Sequence, residues 1–302
     1  MLARSYELDL KNYFRLTVLA RSKSADKQLA AQAHDLLFRT RCRLENSIHA
    51  SITSSLVSGK ERLDAVFDGS FFGFSKKQGT SLRLPLTTCL PTKLCAGGCY
   101  AHDVLDASPA AVVRGAINGW IAARYENGDD IERKEILGRL VPQVKRAVRA
   151  ARDELKHLVQ GFSRRAFIRF SHVGEIVHTP IFANDLARMV QEISDHEVDC
   201  VVYTRHKRAN ELDPELWILN FTLDPSSKDR RSWIPANSRI VYSAFGGQTS
   251  QIAEINFLEH HRNGHLKQIG DGVICPATQP DAKDRTCDGN LCNKCFVKPH
   301  VE

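Results

Sequence analysis

Apolar residues recur at helical spacing through the first part of the chain. They fall at three- and four-residue intervals in two stretches, Leu29, Ala33, Leu36 and Leu37, and then Leu44, Ile48 and Ile52. This recurrence is typical of amphipathic helices. The pattern predicts a helical N-terminal region over residues 1–75, which we interpret as a helical cap or a partner-binding arm.

The period shortens to two at residues 82–88, where apolar and polar residues alternate up to Cys89. Such alternation predicts a strand. Ser108 and Pro109 predict a helix start, because serine caps helices and proline fits their first turn. We expect this helix to reach about Tyr125. An apolar stripe then predicts a second helix over about 131–160, kinked or divided at Pro142.

Strand and helix patterns alternate beyond Gly161. The patterns predict strands at 166–170, 200–204, 216–223 and 240–243, and helices at 184–193 and 251–259. Alternation of this kind indicates parallel βαβ units. We therefore predict an α/β fold, with a complete or partial parallel (β/α) barrel over residues 76–270 and a cysteine-rich tail over residues 271–302.

Seven of the nine cysteines fall into two tight groups. The first contains Cys89, Cys95 and Cys99, and the second contains Cys275, Cys287, Cys292 and Cys295. The N-terminus does not look like a secretory signal, and no apolar run has the length of a membrane span. We therefore expect a cytoplasmic protein without a membrane partner, in which clustered cysteines more often hold metal than form disulfides.

The first group has the spacing Cys-x5-Cys-x3-Cys, and Gly97 and Gly98 let its backbone turn tightly. Three thiolates leave one coordination position free, and chemistry can occur at a free position. We expect a [4Fe-4S] cluster with one open iron. Two alternatives stay open: a site shared with one tail cysteine, and a zinc ion completed by His102 or Asp103.

The tail group has the spacing Cys-x11-Cys-x4-Cys-x2-Cys. Four thiolates suit either zinc or a second iron–sulfur cluster. The tail is rich in Pro, Asp, Gly, Asn and Lys, so we expect a metal to organise it. Cys42 and Cys200 stand apart from both groups, and Cys200 reads as a small core residue.

Residues 82–101, with Cys89, Cys95 and Cys99, resemble the first strand and cluster loop of radical S-adenosylmethionine (SAM) enzymes. The segment Phe167-Ile-Arg-Phe-Ser-His-Val-Gly-Glu-Ile176 resembles their Gly-Gly-Glu-Pro segment, and residues 202–205 and 221–224 resemble later strand ends. The resemblance covers roughly residues 80–296. The whole chain also resembles an uncharacterised cysteine-rich family found in bacteriophages and plasmids.

The resemblance to radical SAM enzymes implies a [4Fe-4S] cluster, SAM and an electron donor. Polar residues also gather at the predicted carboxyl ends of strands, where barrel active sites are built. The residues that we expect to bind the cofactor are Ser171, His172, Gly174, Glu175, Thr204 and Asp224. Tyr203, Arg205 and Ser243 occupy similar strand ends.

The formal net charge is +7, and much of it lies in basic runs such as Arg205, Lys207 and Arg208. Such runs fit a polyanionic partner, and we name these three residues as candidate nucleic-acid contacts. The sequence favours two functions. One is a radical SAM enzyme that modifies an unknown substrate, for which nucleic acid is a candidate. The other is a non-catalytic accessory protein of a mobile element, stabilised by zinc or iron–sulfur and binding nucleic acid or protein.

Overall fold

A computed structural model describes residues 6–21, 27–58, 63–75, 79–97, 99, 101, 106–156, 165–244, 248–257, 270–275, 295 and 298. The helices are α1 (Glu7–Arg21), α2 (Lys27–Val57), α3 (Leu63–Phe67), α4 (Lys93–Gly97), α5 (Pro109–Asn127), α6 (Asp130–Lys156) and α7 (Pro180–Ile193). The strands are β1 (Phe72–Ser75), β2 (Gly79–Arg83), β3 (Ala166–Val173), β4 (Val198–Thr204), β5 (Trp217–Leu223), β6 (Arg239–Ser243), β7 (Ile255–Phe257) and β8 (Val273–Ile274).

The eight strands form one sheet in chain order from β1 to β8. β1 pairs with β2 antiparallel, and every later neighbour pairs in parallel. The α/β class and the parallel βαβ organisation are therefore confirmed. Among the described strands β1 and β8 are the two edges, so closure into a barrel stays a prediction.

The sheet has two chemically different faces. One face packs against α5, α6 and α7 through residues such as Ile168, Phe170, Val202, Leu219 and Phe221. We call this the helix face. The opposite face, which we call the inner face, carries a smaller apolar cluster that includes Phe167, Val201, Ile218, Val241 and Ile255. Successive residues of a strand belong alternately to the helix face and to the inner face, because successive side chains point to opposite faces of a sheet.

The N-terminal helices belong to the same core as the helix face. Leu10 and Tyr13 of α1 and Leu44, Ile48 and Ile52 of α2 are buried in that cluster. Burial on this scale stabilises by about 1.5–3 kcal/mol per large apolar side chain. The helical prediction is confirmed over α1 and α2, and these helices pack on the sheet domain as part of one core.

Several predicted boundaries change. Residues 251–259 were predicted as a helix, and this is wrong because Ile255–Phe257 forms β7. The predicted helical region over residues 1–75 ends earlier, because Phe72–Ser75 forms β1. The predicted strand over 82–88 ends at Arg83, and residues 86–88 form a 3₁₀ turn. Helix α6 continues through Pro142. No helix in the described ranges has both the length and the apolar character needed to cross a membrane.

Candidate functional site

A cavity of about 140 Å³ lies at the carboxyl ends of the parallel strands, on the inner face. The residues that the strands contribute are Ser171 from β3 and Glu175 just after it, Thr204 at the end of β4 and Arg205 just after it, Thr222 from β5 and Ser243 from β6. Cys89, Cys95 and Cys99 line the same cavity. The structure therefore brings the first cysteine group together with most of the strand-end residues that the sequence singled out.

The three cysteines lie on the segment between Leu86 and Ala101, which we call the cysteine loop. Cys89 ends the 3₁₀ turn, and its N–H donates to the Leu86 carbonyl at 3.0 Å. Cys95 lies on the short helix α4, and its N–H donates to Thr92 Oγ1 at 3.1 Å. The three cysteines are half-buried, and none of them forms a disulfide. The loop thus presents three sulfur ligands from one short stretch of chain.

The sheet fixes the loop through hydrogen bonds. The Glu175 N–H donates to Thr88 Oγ1 at 2.8 Å. The Thr92 hydroxyl donates to Asp224 Oδ2. Arg230 donates to the Leu90 carbonyl at 2.6 Å. These contacts hold the part of the loop that lies over the ends of β3 and β5.

Helix α2 holds the two ends of the loop. Glu45 accepts the N–H of Leu86 at 2.6 Å, and Arg41 donates to the Ala101 carbonyl at 2.7 Å. Arg41 also donates to the Asp106 carbonyl at 2.9 Å and pairs with Glu45 at 2.8 Å. Both charged side chains are completely buried. Sequence analysis missed this pair.

Charges of both signs face the thiols. Burial raises the pKa of the Glu175 carboxyl, which the Thr204 hydroxyl and the Arg205 charge oppose. Arg205 lies within electrostatic reach of all three cysteines and pairs with Asp224 at 2.7 Å. A nearby guanidinium stabilises thiolates, so Arg205 is the residue in the cavity that favours sulfur in its ligand form.

Burial of the cysteines disfavours the thiolate form. It raises the pKa of Cys89 well above its ordinary value and raises that of Cys99 to about 12. A metal must displace these protons in order to bind. Burial also raises the pKa of Cys42 to about 12. Cys42 projects from α2 into the apolar contacts around Leu86 and Ala101, close to Cys89 and Cys99, whereas the sequence treats it as isolated.

The floor of the cavity consists of stacked side chains. The Arg169 guanidinium lies 4.3 Å from the centre of the Tyr203 ring, and the Tyr203 and Phe257 rings are 6.1 Å apart. Within the described residues, the buried Nε of Arg169 has no hydrogen-bond partner. Arg169 also lines the cavity, so the floor adds a second positive charge facing the cavity.

Two tail cysteines are buried on the inner face beneath this floor. Cys275 and Cys295 belong to the apolar cluster of Val201, Ile218 and Val241, into which Tyr203 and Phe257 also pack. The Asn220 side chain donates to the Cys295 carbonyl at 3.1 Å. Cys287 and Cys292 lie outside the described residues. Over the part that is described, the two cysteine groups therefore occupy different apolar clusters.

The described side chains include no group of three His, Cys, Asp or Glu residues close enough to share one metal ion. This observation disfavours a lone zinc ion held by the three loop thiols. An iron–sulfur cluster requires a wider separation of the cysteine sulfurs than a single ion does, because each thiolate binds a different iron. The donor set of three cysteines around one small cavity, with Arg205 beside it, fits a cluster on chemical grounds.

The other predicted cofactor residues divide by position. Glu175, Ser171 and Thr204 line the cavity, as does Gly174. Asp224 is engaged by Thr92, Arg205 and Ser226, so it anchors the loop. His172 is buried on the helix-facing side of β3, with Nε2 2.8 Å from Asp106 Oδ1, and this contact directs it away from the cavity.

The predicted nucleic-acid residues do not share a surface. Arg205 is half-buried at the cavity. Arg208 pairs with Glu211 at 2.8 Å and donates to the His178 carbonyl at 2.7 Å. Lys207 is exposed. Of the three, two therefore have structural contacts inside the protein.

A second pocket of about 390 Å³ adjoins the site at Asp224. Its polar lining includes Arg231, Tyr242, Gln248 and Gln251. Its volume falls in the range of small-molecule sites, about 300–1,000 Å³, whereas the cysteine cavity is smaller.

Comparison of the chain with protein-family models, with curated proteins and with solved structures gives no match. The resemblance to radical SAM enzymes therefore stays a prediction, and any functional assignment rests on the residues of the cavity.

Proposed function

We propose that the chain is an iron–sulfur enzyme of the radical SAM type, built on an incomplete parallel (β/α) barrel. The observation that carries the proposal is the convergence of Cys89, Cys95 and Cys99 on one cavity at the carboxyl ends of parallel strands. Ligands bind at this end of parallel sheets and barrels. The strand order, sequential from β1 to β8, is the order that such a barrel requires.

In this proposal Cys89, Cys95 and Cys99 hold a [4Fe-4S] cluster with one iron left open to SAM. Such a cluster, when bound, supplies the electron that cleaves the sulfonium of SAM. Arg205 and Arg169 offset the negative charge of the thiolates. Glu175 is the acidic group in the cavity that can accept a hydrogen bond from the amino group of SAM. The volume near Asp224 gives room for an organic ligand that the cysteine cavity alone lacks.

Anaerobic reconstitution with iron and sulfide tests the proposal. We expect about four irons per cluster, visible thiolate-to-iron absorbance, and an EPR spectrum of the reduced protein that SAM perturbs. Cys89→Ala, Cys95→Ala and Cys99→Ala should each abolish the SAM-sensitive signal. Cys200→Ala is the matched control, because Cys200 is buried in the helix-face core and should leave the signal unchanged. A wild-type EPR signal that SAM does not alter would refute the enzymatic assignment.

In this proposal the tail cysteines form a separate metal site. A second cluster or a zinc ion held by Cys275, Cys287, Cys292 and Cys295 is the expected partner of the loop site. Metal analysis of the three loop variants distinguishes the two outcomes, because iron retained at about four per chain indicates a second cluster and zinc alone indicates a structural ion.

The alternative function is a metal-stabilised accessory protein of a mobile element that binds a polyanion. The observation that favours it is the exposed basic surface of α6, where Lys145, Arg146 and Arg149 all lie in solvent. Replacing these three residues by Gln should weaken nucleic-acid binding and reduce the slope of log K against log salt by about 2–3. Lys207→Gln is the comparison variant. An affinity for nucleic acid that changes neither with salt nor with these substitutions would exclude this alternative.

A further inference from the structure

The Arg41–Glu45 pair of α2 spans the two ends of the cysteine loop. Glu45 Oε2 receives the N–H groups of Leu86 and Thr87, at 2.6 and 3.4 Å, on the amino side of Cys89. Arg41 reaches the carbonyls of Ala101 and Asp106 on the far side of Cys99. All three cysteines therefore lie between main-chain groups held by two neighbouring side chains.

Helix stability does not explain this pair. In an isolated helix an acid four residues before a base is the favourable order, and the reverse order helps less. Asp35 and Arg39 of α2 have the favourable order and are largely exposed. Arg41 and Glu45 have the reverse order and are completely buried.

Net stability does not explain the pair either. Taking two charges out of water costs several kcal/mol per ion, and apolar residues of similar volume often replace a buried pair without loss of stability. What apolar residues cannot do is hold four main-chain polar groups on two segments about 15 residues apart in sequence. The rigid guanidinium directs Nε to Glu45 Oε1 and Nη1 to both carbonyls, and Glu45 Oε2 accepts the two N–H groups.

We propose that Arg41 and Glu45 are positioning residues that set the separation of the three loop thiols, and that the N-terminal helices are part of the metal site. The part of the proposal that concerns the metal site rests on the proposed function. The part that concerns the position of the cysteine loop rests on the hydrogen bonds alone. Arg41 and Glu45 do not line the cavity, so they act through the backbone of the loop.

A pair of matched double variants on the same helix tests this proposal in the full chain. Arg41→Met/Glu45→Leu removes the buried pair, and Asp35→Asn/Arg39→Gln removes the exposed pair of equal spacing. Circular dichroism and thermal midpoints report the fold. Mass spectrometry of metal-free, reduced protein reports the alkylation rate of each loop cysteine, and reconstitution reports iron per chain and the EPR line shape.

We expect the buried-pair variant to stay folded while its loop cysteines alkylate at least about tenfold faster, since one net hydrogen bond can change an opening equilibrium by about that factor and four are removed. Its cluster should be lost or show an altered EPR line shape. The exposed-pair variant should match the wild type in every readout. A folded buried-pair variant with wild-type alkylation and wild-type EPR overturns the proposal.

Arg41→Lys keeps the inference testable if the double variant does not fold. Lysine keeps the positive charge, but its single nitrogen cannot pair with Glu45 and reach both carbonyls from the two places that Nε and Nη1 of Arg41 occupy. We expect faster alkylation of Cys99 than of Cys89, because only the far end of the loop is released. Equal and unchanged rates at the two cysteines overturn the proposal. If wild-type protein takes up no iron, the proposed function fails, whereas the alkylation result still decides the role of the pair.

Discussion

Two buried arginine–carboxylate pairs hold the cysteine loop from opposite sides. The Arg41–Glu45 pair lies in the helical layer, with both side chains at 0% exposure. The Arg205–Asp224 pair lies at the strand ends, with 12% of the arginine side chain exposed and none of the aspartate. The first pair binds the main chain at the ends of the loop. The second binds Thr92 in its middle and faces the thiols.

The difference separates a pair that holds the backbone from a pair that borders the cavity. Arg41 and Glu45 pair with each other and bind four backbone groups, and their charges also reach the thiols, where Glu45 adds to the effect of burial in raising the pKa of Cys89 and Arg41 opposes burial at Cys99. Arg205 is shared between Asp224 and the cavity, so part of its charge acts on the sulfurs. Removing a partner from either pair should therefore affect different properties.

The largest contrast is expected in unfolding free energy. Glu45→Ala leaves the Arg41 charge buried without its partner and should cost about 3–5 kcal/mol. Asp224→Ala should cost less, about 1–3 kcal/mol, because Arg205 retains some access to water and lies near Glu175. Urea unfolding of the metal-free variants measures both values. Equal losses of unfolding free energy in the two variants would show that the two pairs contribute alike to stability.

Gly174 offers a test of the sheet side that changes no charge. Its φ is +75°, and a Cβ there would lie 2.7 Å from the carbonyl carbon and oxygen of Leu84. Gly174→Ala should therefore cost at least about 1–3 kcal/mol and displace the neighbouring Glu175, which holds Thr88. Thermal and urea unfolding measure the cost.

Gly138→Ala is the control for this substitution. Gly138 is exposed on α6 with no atom within 4 Å of the added Cβ. The substitution should be neutral or stabilise by about 0.5–1 kcal/mol. An equally mild effect at Gly174 would mean that the close approach of β2 and β3 is not needed.

The two pairs differ in how far the sequence could predict them. Asp224 and Arg205 follow strands, so the rule that sites form at carboxyl strand ends identified both. Arg41 and Glu45 lie inside a helix, four residues apart, like the exposed pair Asp35 and Arg39. The two pairs have the same spacing and opposite charge order, and neither feature shows which pair is buried. The Arg41–Glu45 pair is buried because α2 packs on the cysteine loop. This is a tertiary contact, which the local sequence does not reveal.

The same limit appears in the fold. Helix α5 was predicted from its start at Ser108 and Pro109, and α6 from an apolar stripe that persists over several turns. The strand Ile255–Phe257 has three residues, too few to display a period, and it is defined by its pairing with β6 and β8. His172 shows the limit in the site. A strand was predicted over 166–170, but β3 extends to Val173, and the face of the sheet that each residue takes depends on register.

The sheet-side pair should also reveal itself in the pH dependence of stability. Burial alone would raise the pKa of the Asp224 carboxyl, but hydrogen bonds from Thr92 and Ser226 and the Arg205 charge lower it below its ordinary value of 3.8. The stability that Asp224 contributes is therefore present above pH 3.8 and is lost as the pH falls through the lower folded-state pKa.

Urea unfolding of the wild type and Asp224→Asn between about pH 6 and pH 3 measures this contribution. The difference in unfolding free energy should be constant at the upper end and should shrink at the lower end. A difference that grows as the pH falls would contradict the assigned sign, and would mean that burial dominates over the hydrogen bonds and Arg205.

The smallest expected effect is the coupling energy of the exposed Asp35–Arg39 pair on α2, which is the reference for the buried pair. A double-mutant cycle on Asp35 and Arg39, with Ala at each position, should give a coupling of about 0.3–0.5 kcal/mol, because solvent screens the two charges. The same cycle on Arg41 and Glu45 should give a coupling several times larger, since each single variant leaves a buried charge unpaired. Because both pairs have the same spacing on the same helix, helix propensity largely cancels between the cycles. The excess coupling then measures burial against the cysteine loop, and equal couplings would show that α2 does not clamp the loop in solution.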